Sequence, residues 1–233
     1  MHQPDQPLHD FSVEGDASLA KVLIVTAVEA ERDAVLAGLG GDERFVVVAG
    51  GVGPAAVAAG TARALMNGVY SRVISAGIAG GFAGLAAVGS LVVASRMVAA
   101  DLGSDSPEGF ISVDELGFGS SIIPAEDTVS ASLAGALERA GLQACLAPIV
   151  TVSTTTGTLA GAQALAARVP GAAAEGMEGF GVAEAARQFG LPALELRAIS
   201  NAVGPRDRGA WKIGEALGAL RQASSILPEV FFA

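Results

Sequence analysis

Short apolar runs rich in β-branched residues alternate with alanine-rich, helix-forming stretches along this chain, and glycine marks most of the junctions. Val22 to Ala27 is such a run, and Glu29 to Leu39 follows it as a helix stopped by Gly40 and Gly41. Phe45 to Ala49, the turn Gly50-Gly51-Val52-Gly53 and Ala55 to Met66 repeat the scheme, with Pro54 in the first helical turn, where a missing amide hydrogen costs nothing. Val73 to Ala76 and Leu91 to Ala94 read as strands separated by the turn Gly77-Ile78-Ala79-Gly80-Gly81, and Pro148 to Val152 and Ala193 to Ile199 as later strands. Glu126 to Ala140 and Leu159 to Arg168 read as helices, and Ala210 to Ser224 as a closing amphipathic helix. The alternation predicts an α/β fold with a parallel or mixed central sheet flanked by helices, and ligands at the carboxyl ends of the strands. Ala100 to Ser121, rich in Gly, Ser, Asp and Pro, reads as a long irregular excursion that covers or lines a site.

A chain of 233 residues that is 51% hydrophobic can bury one substantial core, so residues 21–233 are expected to form one domain. Residues 1–20 carry His, Gln, Asp and Glu in place of a cationic start and an apolar stretch, and read as a disordered polar leader, not a signal peptide. The net charge of −10, with 14 Lys plus Arg and no basic run, argues against a nucleic-acid surface. No apolar run reaches the roughly 20 residues that span a bilayer. A cytoplasmic location is expected. The single cysteine, Cys145, has apolar flanks and reads as a buried core thiol. His2 and His9 both lie before Lys21, so acid–base work in the domain falls to carboxylates, amides or water.

Three polar positions follow apolar strand-like runs: Glu31, Glu178 and Asn201. Taken singly, Glu31 and Glu178 are as readily exposed first-turn acids that interact with a helix macrodipole. The Gly50 to Gly53 turn can approach a phosphate or ribose because glycine lacks Cβ, yet it is equally a tight turn with no ligand. It does not complete G-x-G-x-x-G, since position 56 is alanine, and it lacks the Lys-Ser/Thr of a P-loop.

Taken together, from about Lys21 onward, these segments resemble the purine nucleoside phosphorylase and nucleosidase superfamily, and within it the futalosine-cleaving nucleosidases. Ala27-Val28-Glu29-Ala30-Glu31 is similar to the family's Met-Glu-Glu-Glu-like segment, whose last acid positions the attacking water, so the resemblance puts Glu31 in that role. Gly77 to Gly81 is similar to a Gly-Ser-Ala-Gly-Gly turn against ribose and base, with Ile78 in place of serine, which assigns Gly77, Ile78, Ala79 and Gly80 to substrate binding. Gly176-Met177-Glu178 is similar to the Met-Glu segment that holds the ribose hydroxyls, and Ile199-Ser200-Asn201 to an Ile-Ser-Asp segment that presents an aspartate to the purine. The resemblance implies a three-layer fold, a small-molecule nucleoside as partner, no metal or organic cofactor, and a homo-oligomer. The residue types suit the reaction, because breaking an N-ribosidic bond generates an oxocarbenium-like sugar beside which anions are stabilising.

Two departures from the adenine-specific pattern are informative. Asn201 stands where that pattern has aspartate; its amide oxygen can accept from a protonated purine N7 while its nitrogen donates to a 6-oxo group, which suits hypoxanthine. Ser75-Ala76-Gly77-Ile78 stands where phosphorylases carry Arg-x-Gly-Ser/Thr, and without those groups a phosphate nucleophile is poorly held, leaving water.

Further candidates lie nearby. Asp101, and Thr155 and Thr156 within the run Thr154 to Thr156, follow strands where related enzymes shape the base pocket, although a threonine run is more often a solvated turn. Arg206, Arg208, Trp211 and Lys212 cluster after Asn201, where an arginine can hold the benzoate of futalosine bidentately and the tryptophan offers an aromatic face, and Arg208 is counted among the substrate-binding residues. Equally, Arg206 and Arg208 pair with Asp207 or cap a helix. The rival readings are an adenine-releasing nucleosidase, disfavoured by Asn201; a dinucleotide-dependent oxidoreductase, which lacks its fingerprint; and a non-catalytic nucleoside-binding relative, disfavoured by Glu31 and Glu178.

Overall fold

In a computed structural model that describes residues 21–232, the alternation of runs becomes a mixed sheet with helices on both faces. The first strand, β1 (Lys21–Thr26), shows why. Val22 and Ile24 point into one core, while Leu23 and Val25 point into the other. A strand buried on both faces needs a continuous apolar run, which is what the sequence supplies. Helix α1 (Glu29–Leu39) follows and stops at Gly40, whose φ of 62° places it in the left-handed region glycine tolerates. Strand β2 (Phe45–Ala49) and helix α2 (Pro54–Leu65) repeat the unit.

The centre of the molecule is β3 (Tyr70–Gly81), which pairs in parallel with β1 and with β10 (Ala193–Ala202), and β1 pairs in parallel with β2. Strand β4 (Leu91–Ala99) runs antiparallel to β10 and parallel to β8 (Ala144–Thr151); β8 pairs with β9 (Ala174–Gly176), and β9 returns antiparallel to β3. The strands β3, β10, β4, β8 and β9 therefore close into a ring, and β1 and β2 extend the sheet outward. Helices α1, α3 (Asp127–Arg139), α6 (Ile213–Ser224) and α7 (Leu227–Phe232) cover one face, and α2 and α5 (Gly179–Gln188) pack on the other. Helix α4 (Leu159–Arg168) contributes Ala162 and Leu165 to a third cluster with Phe82 and Val203.

Several boundaries differ from those read in the sequence. Gly77 to Gly81 is not a turn but the second half of β3, paired to β10 through Gly81↔Ala202. Glycine serves packing here: a Cβ on Gly77 would meet the Glu31 carboxylate and the Arg197 guanidinium, and one on Gly81 would overlap the Ala86 carbonyl and Ile199. The excursion is partly ordered. It contains the hairpin β5 (Gly103–Ser106) and β6 (Gly109–Ser112), and strand β7 (Ile122–Pro124), which pairs with β4, comes just after it. The closing helix begins at Ile213, after a single 3-10 turn over Arg208–Ala210, and α7 follows it with Phe231 and Phe232 edge-on to Phe45. Cys145 lies in β8 and is only half-buried, since that end of the strand faces a surface cleft. The proposed leader, residues 1–20, lies outside the described residues.

Candidate active site

A cavity of about 340 Å³ opens at the ends of β3, β9 and β10, and Glu31, Glu178 and Asn201 all line it. A larger cleft, about 500 Å³, lies between β4, the β5–β6 hairpin and the end of α4, and contains none of the three. The smaller cavity is the one in which the acids converge.

Glu31 is not at a strand end but in the first turn of α1, with 4% of its surface exposed. Its Oε2 accepts from the amides of Ala27 (2.9 Å) and Val28 (3.3 Å), the helix-capping arrangement, while its Oε1 accepts from the Ile78 amide of β3 (2.8 Å). The side chain is thus both a cap and a buried carboxylate facing a cavity. Glu178, 6% exposed, occupies the position that opens α5. Its Oε1 accepts from the Gly53 amide (3.2 Å), and its Oε2 accepts from the Met177 amide (3.3 Å) and from Arg197 Nη1 (3.2 Å). The Gly50 to Gly53 turn therefore serves the site by aiming an amide at a carboxylate, with Val52 beside it in the cavity wall. Glycine is required there: φ is 110° at Gly51 and 86° at Gly53.

Asn201 is placed by a bulge in β10. Ile199 pairs with Ala79 and Asn201 with Gly80, so Ser200 is the extra residue that re-aims the side chain after it. The Asn201 amide nitrogen donates to the Ala202 carbonyl (2.9 Å) and its oxygen accepts from the Ser200 hydroxyl (2.8 Å). Because a carbonyl can only accept, this fixes the orientation of the amide and leaves one N–H and one oxygen lone pair unspent.

Of the remaining sequence candidates, Ile78, Ala79, Gly80, Gly176, Met177, Thr155 and Thr156 line the cavity. Gly77 does not; it lies behind the wall, where its missing side chain makes room for Glu31 and Arg197. Asp101 is exposed, accepts from the Ser153 amide (2.6 Å) and lies outside the cavity. Arg208 is also exposed and outside it, 5.9 Å from the Trp211 ring; Arg206 takes the place expected of it, lining the cavity with Trp211 at 5.3 Å. Asp207 caps the 3-10 turn through the Gly209 amide (3.0 Å), and Arg206 is held at the cavity by its amide on the Gly157 carbonyl (3.0 Å) and its Nη1 on the Thr155 hydroxyl (3.5 Å). The excursion contributes no residue to the cavity and lines the larger cleft instead.

Three charged residues of this region escaped the sequence reading. Glu175 in β9 accepts from the Thr156 amide (2.9 Å) and hydroxyl, and burial pushes its carboxyl above the usual range. Glu195 and Arg197 are fully buried in β10. The signal was present: in Leu194-Glu195-Leu196-Arg197-Ala198 two opposite charges alternate with apolar residues, and a charge inside a buried strand must find a partner.

A buried pair of amide-held glutamates and a polar amide around a nucleoside-sized cavity, on a mixed sheet with helices on both faces, define a protein of the nucleoside-cleaving type. Residues 16–230 match the Phosphorylase superfamily, and the chain belongs to it. Within that superfamily it is 47% identical to the futalosine hydrolase of Streptomyces coelicolor, over 90% of this chain and 95% of that protein, and 46% identical to that of Acidothermus cellulolyticus, over 89% and 90%. Among solved structures, the fold matches futalosine hydrolase of Helicobacter pylori strain 26695 with a TM-score of 0.79 at 18% identity, covering 92% of this chain and 100% of that one. A 5'-methylthioadenosine/S-adenosylhomocysteine nucleosidase from the same organism matches with a TM-score of 0.76 at 19% identity, over 91% and 97%.

Proposed function

We propose that this chain hydrolyses the N-ribosidic bond of futalosine, releasing hypoxanthine and dehypoxanthine futalosine in menaquinone biosynthesis. The observation that carries the reading is the convergence of Glu31, Glu178 and Asn201 on one cavity; the 47% identity to a futalosine hydrolase supports the choice of substrate. Glu31 orients the water and accepts its proton as the oxygen bonds to the anomeric carbon. The bond to N9 breaks with its electron pair passing to the purine, which takes a proton at N7 from solvent and leaves as the neutral base. Glu178 holds the ribose hydroxyls, and its anion favours the positive charge developing on the sugar. The free oxygen lone pair and N–H of Asn201 match N7–H and O6 of hypoxanthine. Water is the nucleophile: Arg197, the cation nearest these acids, is already bonded to Glu195, Glu178 and Ser75, which leaves it unsuited to gripping phosphate. The reaction so written uses neither metal nor organic cofactor.

A cytoplasmic homo-oligomer belongs to the same reading. Among the described residues no helix is long and apolar enough to cross a membrane, and Phe118, 81% exposed on the excursion, offers an apolar contact for a second copy. The test is purine release from futalosine, inosine and methylthioadenosine, with and without phosphate, hypoxanthine being followed by xanthine oxidase and adenine by chromatography. Futalosine is expected to turn over fastest and independently of phosphate. A requirement for phosphate, or preference for the adenine nucleoside, overturns the reading.

A further inference from the structure

Arg197 is 0% exposed and satisfied on three sides. Its Nε donates to Glu195 Oε1 (2.8 Å), Nη1 to Glu178 Oε2 (3.2 Å) and Nη2 to the Ser75 hydroxyl (3.0 Å). Desolvation opposes its charge, but the carboxylates of Glu195, Glu178 and Glu31 outweigh that and hold it protonated. The period of two along β10 puts Glu195 and Arg197 on the same face, opposite Leu194, Leu196 and Ala198.

Stability does not account for Glu195. Its Oε2 is buried with no hydrogen-bond partner among the described residues, which disfavours the folded state. Apolar residues of similar volume commonly replace a buried ion pair with no loss, or with a gain. The fold also gives up side chains to admit the pair: a Cβ on Gly179 would overlap the Glu195 carboxylate, and one on Gly176 would press on the Arg197 guanidinium at 3.3 Å. Glu195 itself does not line the cavity, so any influence on the site passes through Arg197.

Burial pushes the Glu195 carboxyl above its usual range, but the Arg197 guanidinium bonded to it at 2.8 Å favours the ionised form, and what Glu195 supplies to that pair is an anion. An arginine facing only Glu178 and Glu31 would set its positive charge beside the sugar on which positive charge develops. We propose that Glu195 is a positioning residue that orients and neutralises Arg197, so that Arg197 can clamp Glu178 without cancelling the anionic field that Glu178 and Glu31 present to the ribose. The inference rests on the nucleosidase reading above. Four charged groups are involved, one from each of two helix starts, Glu31 and Glu178, and two from β10, Glu195 and Arg197; β3 contributes the neutral Ser75.

The test compares wild type, Glu195→Gln and Glu195→Asp on futalosine, recording kcat, KM, the pH profile and the melting temperature. Wild-type turnover checks the reading of function separately. Glu195→Gln keeps the shape and removes the charge, so kcat should fall about 10- to 100-fold with KM changed less than threefold, because the ground-state ribose is uncharged. With one anion fewer near the cavity, the acid limb of the profile should move to lower pH. Glu195→Asp, which keeps the charge, should hold the limb in place and recover part of kcat; it also serves as the test should the glutamine variant not fold. A Gln variant within twofold of wild-type kcat with an unmoved limb overturns the proposal, as does an Asp variant whose loss only tracks its loss of folded protein.

Discussion

Arg197 Nη1 lies 3.2 Å from Glu178 Oε2, and this contact ties the centre of β10 to the residue that opens α5. The same carboxylate receives the Gly53 amide on its other oxygen, so three segments far apart in sequence meet on one side chain. A carboxylate held this way needs little rearrangement when a substrate arrives, which is the condition for electrostatic stabilisation of a transition state.

Glu31 and Glu178 are expected to fail differently when neutralised. Glu31→Gln keeps the side-chain shape but has one accepting oxygen in place of two, so it retains either the cap or the contact with the Ile78 amide; substrate should still bind while kcat falls by two or more orders of magnitude, about the range for losing a positioned base. Glu178→Gln should raise KM and lower kcat together, since its ribose contact exists in ground and transition states alike. Steady-state kinetics with futalosine and binding to the Glu31→Gln variant decide it; near-normal turnover by Glu31→Gln removes that residue from the mechanism.

The two arginines after Asn201 should separate cleanly. Arg206 lines the cavity beside Trp211, whereas Arg208 stands outside it. Arg206→Ala should weaken kcat/KM for futalosine relative to inosine by about 1.5–3 kcal/mol, roughly 10- to 150-fold, if its guanidinium receives the benzoate. Arg208→Ala should leave that ratio within threefold. Equal losses on both substrates for Arg206→Ala would make its role structural.

Glycine substitutions give a test of packing that is independent of catalysis. Gly179→Ala drives a methyl into the Glu195 carboxylate, fixed by its bond to Arg197, and should destabilise the fold by about 1–3 kcal/mol. Gly218, exposed in the middle of α6 with nothing near the position of a Cβ, should show the opposite sign: Gly218→Ala should stabilise by about 0.5–1 kcal/mol through lost chain entropy. Urea or thermal unfolding of both variants measures this, and a stable Gly179→Ala would mean that the pair can shift aside.

Local signals in the sequence account for the bounds of α1, β2 and α4, such as Gly40 after α1 and Thr158 capping α4 through the Gly161 amide. Glu31 and Glu178 were visible because each lies in a short motif, whereas Glu175 in the same cavity was not. The extent of β3 was not, since Gly77 to Gly81 has the composition of a turn and becomes strand only because β10 and β9 flank it. Closure of the ring was equally hidden, because it depends on a three-residue strand, β9, too short to show any period. Which arginine lines the cavity depends on the path of the chain after Asn201, where the Arg206 amide bonds the Gly157 carbonyl, and Asp101 meets the Ser153 amide outside the cavity, a placement that a strand end alone does not reveal.

Asn201 carries the sharpest prediction, because one group decides which purine edge it can satisfy. Its orientation is set by Ser200 and Ala202, so an incoming base meets an oxygen that accepts and a nitrogen that donates. Hypoxanthine, protonated at N7 and carrying O6, satisfies both; adenine, with an amino group at position 6, sets donor against donor. Asn201→Asp replaces the donating nitrogen with an oxygen that accepts unless it is protonated. Futalosine hydrolysis should then fall by roughly ten- to a thousandfold, the range for losing one well-placed hydrogen bond at a developing charge. The 6-amino analogue should gain relative to futalosine, since an acceptor now faces its amino group. The ratio of kcat/KM for the two substrates, in wild type and mutant, is the quantity to measure. A ratio unchanged by the substitution would mean that Asn201 does not read position 6, and selection of hypoxanthine would have to reside in the remaining walls, where Thr155, Thr156, Glu175, Ser200 and Arg206 are polar.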